Sequence, residues 1–212
     1  MAETPPNRGT PEEGQERTKA FHYALGRFVA MFARVEFATH IVLRHYAKIS
    51  VPAARALLSG IKADKTRDVI RRLFEIGHLN QTTWNDLAPI LDRFGEINNR
   101  RNFLLHHTTV GVAEGIGFVT NAGTAHIEAN VAGFDISAEI LDDMTADLRK
   151  ILVHLNARHM GKPLDDPKID AILRVPWRYT LKSSRLAAPP KAAHPDQPKT
   201  PTRPARSLPP RE

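Results

Sequence analysis

The chain has 212 residues, 42% hydrophobic and 25% charged, enough for one domain with a sizeable core and too short for two large ones. It contains no cysteine, which excludes a disulfide framework and a zinc–thiolate site and fits a reducing compartment, so a cytoplasmic location is expected. The formal charge of +7 is concentrated at the end: residues 182–212 carry seven Lys or Arg against Asp196 and Glu212, so the body has too little excess charge to coat DNA through a broad basic face.

The first residues, Met-Ala-Glu-Thr-Pro-Pro, lack a basic stretch followed by an apolar one. The most apolar segment, Phe21 to Tyr46, is interrupted by Arg27, Arg34, Glu36 and Arg44. Neither a signal peptide nor a membrane span is expected. Residues 1–15 are rich in Pro, Gly, Glu and Thr without periodicity and read as a disordered tail. From Glu16 the apolar residues Phe21, Leu25, Phe28, Phe32, Val35, Phe37, Ile41, Leu43 and Tyr46 recur at three- and four-residue spacings, predicting one long amphipathic helix to Ile49.

Pro52–Ser59 reads as a short helix closed by Gly60, and Asp64 as the cap of the next, whose stripe is Val69, Ile70, Leu73, Phe74 and Ile76. A third long helix starts at Thr82 or Thr83, carries Trp84, Leu87, Ile90, Leu91, Phe94, Ile97 and Phe103 inward, and reaches His106. Pro89 in its opening turns predicts a kink or a start nearer Leu87. Between Thr108 and Gly133 the period changes, and Val110, Val112, Ile116, Phe118 and Val119 stand among glycines, as in a small hairpin. Ser137 then caps a last long helix running to Gly161. Asp170–Arg174 reads as one further turn. Eleven of the 16 prolines fall at or after Pro163, so residues 182–212 are expected to be a disordered basic tail.

These elements predict an all-α fold, a bundle of four to five helices with a small β-hairpin insertion at 108–133. The helical domain spans 16–161, and residues 162–181 form a strap with Trp177 as its anchor. The aromatic and basic run Arg174-Val175-Pro176-Trp177-Arg178-Tyr179 is too poor in rings for a base-stacking platform.

The chemistry-bearing segment is Ile97-Asn98-Asn99-Arg100-Arg101-Asn102-Phe103-Leu104-Leu105-His106-His107. Arginine holds a phosphate through two parallel charge-assisted hydrogen bonds and keeps its proton, while histidine moves protons near neutral pH. Metal-free RNA cleavage needs proton transfer to and from oxygen and positive charge at the phosphorane. His106 suits proton transfer and Arg101 the phosphate. Asn102, one helical turn before His106, shares its face and can orient the imidazole. Arg100 and His107 are near enough to share these roles. Spacing alone is weak, because Arg17/His22, Arg34/His40, Arg72/His78 and Arg149/His154 show similar intervals. An asparagine directly after the arginine and a second adjacent histidine set Arg101 and His106 apart.

At Arg101-Asn102-Phe103-Leu104-Leu105-His106 the chain resembles the HEPN superfamily, small all-helical proteins marked by arginine, four to six residues and histidine. The resemblance extends over residues 16–160, including the long first helix with a central Glu36 and the Lys62-Ala63-Asp64-Lys65 entry to a later helix. It implies a homodimer whose motif helices meet across a cleft, metal-independent endoribonuclease activity with no cofactor, and Glu36 as a partner that orients Arg101. By family analogy it also implies a toxin or phage-defence role with a neutralising antitoxin or another protein partner. Two other readings stand beside it. Arg and His in a last turn also favour the negative end of a helix, and the same fold can serve a non-catalytic binding or regulatory dimer. Elsewhere, Glu36 and His40 lie one turn apart, but two ligands from one helix are too few and His45 is on another face, so no metal site is expected. The glycines of 111–123 lack the Lys-Ser or Lys-Thr of a phosphate loop.

Overall fold

The Thr10 hydroxyl accepts a hydrogen bond from the Glu13 N–H (3.3 Å) while the Glu13 carboxylate accepts from the Thr10 N–H (3.0 Å), and Pro11 occupies the first helical position. This capping box satisfies two donors that a helix start leaves open. Helix α1 (Pro11–Ala47) therefore begins five residues before Glu16, and the expected disorder of residues 10–15 is corrected to an N-cap at Thr10 followed by helix. The computed structural model describes residues 10–160 and 166–180. The expected tails at 1–9 and 182–212 lie outside the described residues.

On α1 the buried set is Phe21, Ala24, Phe28, Met31, Phe32, Val35, Ala38, Thr39, Val42 and Leu43. Phe37, expected inside, is 66% exposed, because a 3.6-residue period that buries 28, 32, 35, 39 and 42 turns position 37 outward. Helix α2 (Val51–Leu58) starts from Ser50, whose hydroxyl accepts from the Ala53 N–H. Helix α3 (Ala63–Glu75) starts at Lys62 without a side-chain cap. Asp64, expected as that cap, lies in the first turn, where a carboxylate meets the positive end of the helix.

Helix α4 (Gln81–His106) is capped by Asn80, whose side-chain oxygen accepts from the Thr83 N–H at 2.8 Å. It runs as one helix through Pro89. Pro89 is exposed, so water can satisfy the Asn85 carbonyl that loses its helical donor. Leu87, Ile90, Leu91, Phe94, Ile97 and Leu104 are buried, whereas Trp84 and Phe103 are half-buried.

The segment after α4 forms three short strands instead of one hairpin: β1 (Thr108–Val110), β2 (Gly117–Thr120) and β3 (Gly133–Ile136), antiparallel and in that order. Val110 pairs with Phe118 and Val119 with Phe134, which buries Val119, Phe134 and Ile136 against the helices. Ser137 follows at once and caps α5 (Ala138–His154), as its spacing predicts.

Helix α5 packs chiefly on α1, and α3 and α4 complete the layer around them. Phe28, Phe32, Ile70, Leu87, Leu91, Ile97, Leu141, Met144, Leu148 and Ile151 make one continuous core. At its end α5 widens into a π-helical turn, Leu155–His159. The last helix, α6 (Pro167–Arg174), is capped by Asp166, so it starts at Pro167, three residues ahead of the expected Asp170. The fold is therefore mostly helical, with six helices and a small three-stranded sheet among the described residues. No helix among those residues is long and apolar enough to cross a membrane.

Residues 175–180 are tied down from below. Asp147, almost fully buried, accepts from the Arg178 N–H (2.8 Å), the Tyr179 N–H (3.1 Å) and Arg93 Nη2 (2.6 Å). Arg93 also donates to the Tyr179 carbonyl and lies under the Trp177 and Tyr179 rings. Tyr179 is buried and Trp177 only half-buried, so the tyrosine and its backbone, more than the expected tryptophan, hold this segment to the core.

Candidate functional site

The last turn and a half of α4 carries the candidate residues, and their surroundings differ sharply. Arg101 is half-buried beside α1, with its guanidinium carbon 5.0 Å from the centroid of the Phe32 ring. Its Nη1 donates to the Asn102 side-chain oxygen at 2.9 Å. Its Nε is buried with no hydrogen-bond partner, and no carboxylate among the described residues pairs with it. Cation–π contact and one amide hold the orientation but leave the charge uncompensated. The arrangement can hold an oxyanion.

His106 is exposed at the end of the same helix and makes no hydrogen bond within the described residues. It does not cap the helix. Asn102 stands one turn before it, so the amide that holds Arg101 shares a face with the imidazole. From Arg101 to His106 the helix rises about 7.5 Å and turns through about 140°, so the two side chains do not share a face, and contact of both with one phosphate depends on the reach of the long arginine side chain around the helix end.

The remaining candidates are built into the packing. His107 is the residue at which α4 ends; its ring lies 4.4 Å from that of Phe103, and its Nδ1 is buried without a partner. Arg100 lies over the Phe134 ring at 4.7 Å and hydrogen-bonds the Tyr179 phenol. Burial raises the pKa of that phenol, and the two arginines beside it, Arg100 first, pull the other way. Glu36 is half-buried on α1 and forms no ion pair with Arg101, so the orienting pair that the resemblance implies is replaced by Asn102 and Phe32. His40, one turn from Glu36, has a buried Nε2 without a partner.

A second cluster, which the spacing of the sequence does not reveal, forms where α4 begins and α5 ends. Asp86 Oδ2 lies 3.0 Å from His154 Nε2 and 3.1 Å from His159 Nε2, and the three atoms are within 4.8 Å of one another. Tyr46 Oη is 2.8 Å from His159 Nδ1. Burial pushes both imidazoles below their ordinary pKa although Asp86 opposes it. For His159, burial and then the neighbouring His154 bring it to about 4. The contacts are thus between a carboxylate and neutral rings, not ion pairs. Burial also raises the Tyr46 phenol, with Asp86 adding to the effect.

In a regular α-helix, residues five apart point about 140° away from each other. The π-helical turn after His154 removes that offset and brings His154 and His159 together, their ring centroids 5.3 Å apart. The only available sequence signal was two histidines near a helix end, and α-periodicity reads them as unrelated. No protein-family model, curated protein or solved structure matches this chain.

Proposed function

We propose that the chain is a metal-independent endoribonuclease of HEPN type that works as a homodimer. The observation that carries this reading is the pairing of a half-buried arginine that no carboxylate neutralises with an exposed histidine that caps nothing, on one helix end. Buried or half-buried arginines are ordinarily paired, and phosphate oxygens supply the missing counter-charge.

One chain contributes one free imidazole here, whereas the reaction needs a base and an acid. A two-fold axis beside the end of α4 brings a second His106 to the same cleft. His106 takes the 2′-hydroxyl proton, and the 2′-oxygen attacks the adjacent phosphorus. Arg101 stabilises the charge on the phosphorane oxygens. The P–O5′ bond then breaks as His106 of the partner subunit gives its proton to the leaving oxygen. The products are a 2′,3′-cyclic phosphate and a free 5′-hydroxyl. Asn102 keeps Arg101 in place. A toxin or phage-defence role, restrained by a protein partner, is compatible with this chemistry but rests on family analogy.

The test is cleavage of a mixed RNA in EDTA by the purified full chain, with product ends analysed and oligomeric state measured by light scattering. The expected result is a dimer that leaves cyclic phosphate ends, with cleavage lowered about 10²–10⁴-fold by His106→Ala and about 10²–10³-fold by Arg101→Ala. RNA binding without cleavage by a folded dimer would favour a non-catalytic binding or regulatory protein. Cleavage that survives both substitutions would place the activity elsewhere.

A further inference from the structure

We propose that Asp86, His154 and His159 bind a divalent first-row transition-metal ion, Zn²⁺ in preference to Mg²⁺ or Ca²⁺, at a site separate from the arginine–histidine turn. Two imidazoles and one carboxylate are the donor set that suits such ions, while the hard alkaline-earth ions take oxygen.

The spacing fits. Metal–nitrogen and metal–oxygen bonds of about 2.0–2.2 Å put neighbouring ligand atoms about 2.9 Å apart at octahedral angles and about 3.4 Å apart at tetrahedral ones. Two edges of the triangle, Asp86 to His154 and Asp86 to His159, are already 3.0 and 3.1 Å. The third is no longer than 4.8 Å.

His159 provides the second, independent observation. Only 2% of it is exposed, and its Nε2 makes no hydrogen bond even though Asp86 Oδ2 is 3.1 Å away, because the contact lies off the N–H direction. A proton on that nitrogen would be a buried donor without an acceptor. The Tyr46 oxygen, 2.8 Å from Nδ1, can accept an N–H bond from it, and in that tautomer Nε2 carries a lone pair. A ring nitrogen with its lone pair inward and its partner N–H held by an oxygen is the usual arrangement of a metal-bound histidine.

Access is also present. Asp86 and His154 line a 610 Å³ cleft shared with Lys150, Arg158, Asp170 and Arg174, which offers a path in and room for water at the remaining coordination positions. Asp86 lies about 22 Å along α4 from Arg101, so the ion takes no part in the proposed RNA chemistry and joins the start of α4 to the end of α5 instead. Failure of this site and failure of the ribonuclease reading are therefore distinguishable.

The experiment uses the full chain, stripped with EDTA and dialysed. Zn²⁺ is measured by competition with a chromophoric chelator, and Co²⁺ by its visible ligand-field bands. The expected result is one equivalent bound, a rise in melting temperature with Zn²⁺ but not with Mg²⁺, and affinity weakened about tenfold or more in Asp86→Asn and about 10–100-fold in Tyr46→Phe, which removes no ligand. Asp86 is exposed, so its asparagine variant is expected to fold, and circular dichroism checks this. Absence of one-equivalent binding by the folded chain, or unchanged affinity in Asp86→Asn, would overturn the assignment and leave adventitious binding by surface histidines.

Discussion

His159 is kept neutral because burial and the adjacent His154 outweigh the attraction of Asp86, and its pKa falls from 6.5 to about 4. Above pH 6.5 neither the folded nor the unfolded chain protonates this ring, and its contribution to stability is fully present. Between pH 6.5 and 4 the unfolded chain takes up a proton that the folded chain refuses, so stability is lost as pH falls through that window. The loss is on the order of 3 kcal/mol at most, and His154 shifts in the same direction. Burial is the main cause, and the titratable and charged groups facing the two rings, Asp86, His45, Lys150 and Arg158, modify it. Urea midpoints of the metal-free chain are expected to drop between pH 7 and pH 4.5, with a shallower slope in His159→Gln. Equal slopes would show that the ring titrates normally. At this scale the arginine–asparagine–histidine turn was legible because its members are contiguous on one helix. The Asp86–His154–His159 cluster was not, because its members come from two helices and depend on a change of helical period.

At the scale of elements, helix stripes were readable and helix starts less so. The stripe from Phe21 to Leu43 needed only the 3.6-residue period, but Thr10-Pro11-Glu12-Glu13 looks like tail composition until its reciprocal hydrogen bonds are recognised. The sheet was half legible. Its first two strands follow from the change of period, whereas β3 is a four-residue strand directly against the Ser137 cap. Gly133 holds that strand close to β2: a Cβ there would stand 2.7 Å from the Val119 carbonyl oxygen and would collide with the Phe118 ring. Gly133→Ala is expected to cost about 1–3 kcal/mol by forcing the strands apart. Faster hydrogen exchange at the β2–β3 amides, with α1 and α5 protected as in the wild type, would locate the damage. Exchange unchanged from the wild type would mean that the strands yield without loss.

For the whole molecule, the closing contact is between the middle of α4 and α5 and a segment some 86 residues farther along the chain from Arg93. Asp147 neutralises Arg93 and receives the backbone N–H groups of Arg178 and Tyr179, so one carboxylate joins three parts of the chain. Asp147→Ala removes the buried one of the two carboxylates that pair with Arg93, leaving only the more exposed Glu96 at 2.8 Å, and strips two amides of their acceptor. A loss of about 3–5 kcal/mol is expected, together with new protease cleavage near residue 175, read from the urea midpoint and limited digestion. Replacing Arg93 and Asp147 together by apolar residues of similar volume is expected to cost far less, because no uncompensated charge remains.

What the sequence by itself determined is local. Helical periods, the cap at Ser137, the turn-rich insertion and the arginine–histidine turn each depend on residues within a few positions of one another. Tertiary structure alone decided which charges are compensated. Arg93 gains the buried Asp147 from another helix beside its local partner Glu96, whereas Arg101 gains no carboxylate among the described residues, although each follows a long apolar stripe on the same helix. It also decided that Asp86 meets His154 and His159. The physical reason is that desolvation and Coulomb attraction depend on distance in space, and distance in space between separate helices is set by the packing of the core.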